Sequence, residues 1–165
     1  MLSMKQNLTN ALVKNIVKGV HDHRFMYAIG GILENIVLYT YDGCVMYKAE
    51  VNSDFTDYLK QVKQPSSDFG SLTKIFTGMQ KYIVESCGYS LLETMKHDGR
   101  DLLYMEYEGK KYFFDPKFLS KFRNSEKYIL RLWIFGGQHG IIVDEYDRSS
   151  DLYDQVALIM GVRPK

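Results

Sequence analysis

Apolar side chains return at two different spacings along the chain, and the spacing divides it into segments. Leu8, Ala11, Leu12 and Ile16 recur at helical intervals behind Ser3 and Gln6, a pair that can close a capping box, and Gly19 can end that helix in a left-handed conformation. Beyond it, FMYAI, ILENIVLYTY and CVMYKAEV are strand-like runs split by Gly30-Gly31 and Asp42-Gly43, both two-residue hairpin signals. A tight reversal at Asp42-Gly43 predicts that Tyr41 faces Cys44, Thr40 faces Val45 and Leu38 faces Tyr47. One face then collects Ile36, Leu38, Thr40, Val45, Tyr47 and Ala49 as core. The other holds Val37, Tyr39, Tyr41, Cys44, Met46 and Lys48 and is aromatic and amphipathic.

A short helix is predicted from about Ser53, with Phe55, Tyr58, Leu59 and Val62 at i, i+3, i+4 and i+7. Gln64-Pro65-Ser66-Ser67 is the clearest linker. The chain therefore reads as one domain, 1–165, in which two sub-units, 1–64 and 67–165, flank that linker. A long helix follows from about Asp68, carrying Leu72, Ile75, Phe76, Met79 and Ile83 inward and stopping at Gly88.

The next segment repeats the turn chemistry, with Asp98-Gly99 and Glu108-Gly109 separating YSLLETMK, DLLYMEY and KKYFFD. Both registers agree. Leu92, Thr94, Leu103, Met105, Tyr112 and Phe114 share a face, while Lys96 meets Asp101 and Glu106 meets Lys111 as opposite charges. Asp115-Pro116 starts a short helix with Phe118, Leu119 and Phe122 as its apolar stripe. KYILRLWIF and GIIVDEY read as strands. A last helix is predicted from Ser149 or Ser150, with Asp151 and Asp154 in its first turn and a stop at Gly161.

This order predicts an α+β protein, antiparallel β-meanders packed against helices, in tandem helix-βββ-helix units. LYTYDG at 38–43 and LYMEYEG at 103–109 sit at matching places in the first two units. From Asp68 onward the order resembles the α-βββ-α-ββ-α layout of type III secretion chaperones. The tandem helix-plus-hairpin units resemble halves of DNA sliding clamps, whose chains are much longer. Both likenesses cover element order alone.

Composition narrows the partners. A hydrophobic share of 45% with 25% charged residues is that of a soluble globular chain. The net charge of +1 removes an acidic mimic of nucleic acid from the front rank, and it lacks the global cationic excess that phosphate binding usually leaves. Cys44 and Cys87, without CxxC spacing, read as two reduced thiols, and no run has the length of a signal core or a bilayer span. The expectation is a cytoplasmic protein with no membrane partner.

Two constellations could carry chemistry. His21-Asp22-His23 would point both imidazoles to one side of a strand, but at a helix end they bond the last free carbonyls instead. The full metal set open to this chain is His21, His23, His97, His139, Asp98 and Glu108, from segments that no pattern brings together. Asp98 or Asp101 with Glu108-Gly109-Lys110 has the form of a metal-dependent nuclease or phosphoesterase triplet, yet the predicted turn splays Glu108 into solvent. Neither cysteine has a basic neighbour, GxSxG is absent, and Gly30-Gly31 and Gly136-Gly137 lack a phosphate-loop pattern. No catalytic residue and no cofactor is expected.

Charge is distributed unevenly. Residues 110–131 carry seven Lys/Arg against two acids, interleaved with Tyr112, Phe113, Phe114, Phe118, Phe122 and Tyr128, a pattern that suits single-stranded nucleic acid. Residues 144–154 carry five acids and one Arg. Opposite patches also recognise proteins, or a second copy of the chain. The leading reading is a non-catalytic protein-binding module: an adaptor, chaperone or inhibitor, such as an accessory protein of a phage or mobile element acting on a host machine. Its contact residues would be Tyr39, Tyr41, Met46, Lys110, Lys111, Lys117, Lys121, Arg123, Asp144, Glu145 and Asp147. The metal-dependent nuclease or phosphoesterase and a nucleic-acid binder acting through 110–131 are the rivals.

Overall fold

The computed structural model describes residues 26–32, 35–41, 44–65 and 69–164. The helix predicted before Gly19, together with His21 and His23, lies outside the described residues. The chain divides into two compact units, Met1–Phe76 and Thr77–Lys165. All strand pairs within each unit are antiparallel and helices are few, so the chain is of the α+β class.

The first unit holds a meander of β1 (Met26–Ile32), β2 (Asn35–Tyr41) and β3 (Val45–Val51), followed by α1 (Ser53–Val62). The hairpin expected at Gly30-Gly31 does not form there. Gly30 pairs with Val37 and Gly31 with Ile36, and the strand runs on to Ile32. The second register is also displaced: Leu38 faces Ala49, Thr40 faces Tyr47, and Tyr41 faces Met46. Each partner lies two residues beyond its expected place, and an even displacement leaves every side chain on its original face. Leu38, Thr40, Val45, Tyr47 and Ala49 are accordingly buried. Tyr27, paired with Thr40 and so on the same face, donates its hydroxyl to the carbonyl of Lys63 and ties β1 to the end of α1. Asn52 caps α1 by accepting from the Phe55 amide, and Thr56 and Leu59 face inward. Tyr58, expected on the apolar stripe, is half exposed.

Helix α2 (Phe69–Gly78) is shorter than the pattern predicted. It gives way at Gly78 to a 3-10 turn, Met79–Tyr82, and then to strand β4 (Ile83–Cys87). Glycine weakens the helix at that point, while Ile83 and Val84 are β-branched and suit the pleat beside the strand that pairs with β4.

The rest of the second unit comprises two sheets. A 3-10 turn, Tyr89–Leu91, leads into β5 (Glu93–His97), β6 (Arg100–Tyr107) and β7 (Lys110–Phe114). Lys96 faces Asp101, Glu106 faces Lys111, Leu103 faces Phe114 and Met105 faces Tyr112, the predicted registers. Positive φ at Asp98, Gly99, Glu108 and Gly109 closes both turns. After α3 (Pro116–Leu119), capped by Asp115, and a 3-10 turn at Ser120–Phe122, come β8 (Tyr128–Phe135), β9 (Gln138–Asp147) and β10 (Leu152–Met160). The order in this sheet is β10-β9-β8-β4.

Strand β10 replaces the predicted final helix. Gln155 to Ile159 are all buried, with Val156 the extra residue of a bulge. A surface helix would turn some of that run to solvent. A strand covered on both faces buries all of it. The core is formed by Leu130, Leu132, Ile141, Val143, Ala157 and Ile159 on one face and Trp133, Ile142 and Leu158 on the other. Each large aliphatic chain buried there contributes roughly 1.5–3 kcal/mol. Phe122 closes the first face, meeting Tyr128 edge-on at 5.1 Å, and Leu119 beside it is buried.

Candidate functional site

The type I′ turn at Asp98-Gly99 sets His97 and Arg100 opposite each other at the tip of the β5–β6 hairpin. Residues leaving β10 come to the same place, because Val162 forms an isolated antiparallel bridge with Phe113. Between hairpin and tail lies a groove of about 260 Å³, lined by His97, Asp98, Arg100, Leu102, Val162, Arg163 and Pro164. Leu102 is buried, while Arg100 and Arg163 are exposed on the rim. Arg100 is held 3.6 Å from the Asp115 carboxylate, which α3 fixes as its N-cap, and the His97 ring lies 3.6 Å from Asp98. The lining residues offer no hydroxyl or thiol.

The C-terminal wall is pinned through one carbonyl. Phe113 O accepts from the Val162 amide at 2.9 Å and from His139 Nε2 at 3.0 Å, while the Gly161 amide donates to His139 O at 2.9 Å. The His139 ring lies between Tyr112 and Phe114, edge-on at 5.2 and 5.3 Å. Burial of the ring lowers its pKa from the ordinary value; the bond to Phe113 O opposes this, and Arg163 and Lys110 reinforce it. His139 packs against both rings and donates from Nε2 to the Phe113 carbonyl.

Among the described residues the expected metal ligands do not come together. Asp98 and Glu108 occupy the turns at opposite ends of β6, roughly 30 Å apart at the rise of an extended strand. Lys110 follows the second of these turns, and its ammonium lies over Tyr112, 5.5 Å from the ring centre. Asp101 pairs with Lys96 at the surface. Among the described residues no three His, Cys, Asp or Glu are placed to share a metal ion.

The expected contact residues divide between the two units. Tyr39 and Met46 are buried, Tyr39 meeting Phe76 of α2 edge-on at 5.1 Å, and Tyr41 is half-buried, so they form no exposed patch. The acidic stretch 144–154 is only partly a solvated face. Asp144 is buried and bonded to Arg131 at 2.6 Å, Glu145 is buried beside Tyr128, and Asp147 accepts from Ser149. The burial of Asp144 and Glu145 follows from their place on the buried β9 strand, which the charge pattern conceals.

Lys110, Lys111, Lys117 and Arg123 are exposed, and Lys121 is half-buried. Lys111 lies over Tyr104, Lys117 over Phe118 and Arg123 over Tyr89 at 4.8–5.7 Å. Phe114, Phe122 and Tyr128 are buried. The basic stretch therefore keeps its charge but offers few ring faces for stacking.

The groove was not legible as a unit. His97 and Asp98 were candidates for a different chemistry, and Arg100, Leu102, Val162, Arg163 and Pro164 were not singled out. The Asp98-Gly99 turn was a usable signal for the hairpin half. The tail half was hidden by reading β10 as a helix.

Fold and site define an antiparallel α+β protein with a small apolar groove rimmed by arginines. Comparison with protein-family models, with curated proteins and with solved structures finds no match. Among the described residues no helix is long and apolar enough to cross a membrane.

Proposed function

We propose that this protein is a non-catalytic binding module that seats a short segment of another protein in the groove between the β5–β6 hairpin and residues 162–164. The observation that carries the reading is the groove itself, apolar along Leu102, Val162 and Pro164 and cationic at Arg100 and Arg163. At about 260 Å³ it falls below the roughly 300–1,000 Å³ of ordinary small-molecule sites and fits one or two anchoring side chains. The guanidinium groups favour a neighbouring carboxylate on the incoming segment. Adaptor, chaperone and inhibitor all remain roles of such a module, in a cytoplasmic setting that suits its thiols.

Selection from a random peptide library on the immobilised chain tests this. Enriched peptides should carry a large apolar residue beside an acid. Arg100→Glu and Arg163→Glu, both exposed and so compatible with folding, should each weaken the selected peptides about tenfold, or ~1.4 kcal/mol. Selected peptides indifferent to both reversals would remove the groove from the reading. The nucleic-acid reading is less well supported, because three of the six rings of 110–131 are buried and two more lie under the chain's own cations.

A further inference from the structure

The C-terminal wall of the groove is one residue removed from a histidine wedge. Gly161 precedes Val162, Arg163 and Pro164, and a Cβ built on Gly161 would fall 2.1 Å from His139 Nε2. The imidazole fills the space a side chain would need, and the same ring shares the Phe113 carbonyl with the Val162 amide. Removing the ring therefore takes away the packing against Gly161 and frees the Phe113 carbonyl, which also holds the Val162 amide, from its second donor. The charges acting on the ring are Lys110 from β7 and Arg163 from the tail, both positive, and its other neighbours are the Tyr112 and Phe114 rings.

We propose that His139 is the positioning residue of the groove's C-terminal wall and makes the attachment of residues 161–164 depend on pH. A proton added at Nδ1 places a third positive charge in a half-buried site already acted on by two cations. The state favoured by acid is then one in which His139 leaves its seat and the Gly161–Pro164 segment releases Phe113. Its consequence for partner binding rests on the groove reading; the detachment itself does not.

The sign follows from linkage. The seated ring has a lowered pKa, so the opened segment takes up a proton more readily. Attachment is complete above the ordinary histidine pKa of about 6.5 and weakens as the pH falls below it. Amide hydrogen exchange on the full chain, corrected for intrinsic rates, reads this without any bound partner. Protection at Gly161 and Val162 should fall by up to about tenfold per pH unit below about 6.5, the limit for one proton, while Ile141 to Val143 hold theirs. In His139→Gln, whose side-chain amide can donate to Phe113 O but does not titrate, that protection should become flat with pH. Flat protection in the wild type, loss in step with β9, or an unchanged pH dependence in His139→Gln would each overturn the proposal. Peptide binding lost through Arg100→Glu or Arg163→Glu would be unaffected by that outcome, so the two readings fail separately.

Discussion

Single residues carry much of the specificity of this fold, and Gly140 shows how. It faces Trp133 across β8 and β9, and a Cβ there would lie 2.4 Å from the Ile159 carbonyl oxygen and 2.5 Å from the indole. Backbone on one side and a fully buried ring on the other leave nothing flexible to move. Gly140→Ala should therefore destabilise the chain by about 2–3 kcal/mol, the upper part of the range for overpacking, despite adding a single methyl group. Equilibrium urea unfolding measures it as a lower midpoint at unchanged slope. An effect under about 0.5 kcal/mol would mean that β9 and β10 shift freely, contrary to their continuous burial. Arg131 is a second case of residue-level definition: its guanidinium bonds Asp144 at 2.6 Å and Ser86 at 3.2 Å and lies over Tyr153. A half-buried charge is thereby tied to three strands at once.

Among the elements, the two turns of the β5–β7 meander were the most legible. An acid followed by glycine between alternating runs requires positive φ twice, and few other conformations meet that demand. Glu108 meets it at a cost, since φ is 50° on a residue type that, unlike Asn or Asp, has no preference for the left-handed region. Glu108→Asn should raise stability by about 0.5 kcal/mol, and a paired thermal melt would show a small upward shift with the β6–β7 register intact. A lower melting temperature would contradict the turn geometry. The long-range elements were harder to read. VALIM at 156–160 satisfies a helix or a strand equally well by apolarity, and only its burial on both faces, supplied by distant residues, decides for the strand. β4 follows the same logic, because its partner β8 lies more than 40 positions away in sequence and leaves no local trace. The first meander failed in register but kept its faces, since the displacement was even. The candidate groove inherited these limits: the hairpin that forms one wall was local, and the tail that forms the other was not.

At the scale of the whole molecule, charge separates the readings of function. The net charge is only +1, although the outward cations of 110–131 are concentrated in the second unit and Glu93, Asp101, Glu106 and Glu108 stand among them at the surface. A field of that kind is weak beyond a Debye length, about 10 Å at 0.1 M salt, so it steers little. Contact in the groove depends on an apolar anchor and on two guanidinium groups at close range, which salt screens less. Association of a library-selected, dye-labelled peptide, followed by stopped flow, should therefore slow by less than about threefold between 0.05 and 0.5 M salt. A nucleic-acid ligand neutralising several phosphates would lose at least about a thousandfold in affinity with a smaller rise in salt. Should an oligonucleotide bind with that steep dependence while peptides bind weakly, the basic stretch would govern function. Its lysines, held over their own aromatic rings, would then act as a phosphate track without stacking.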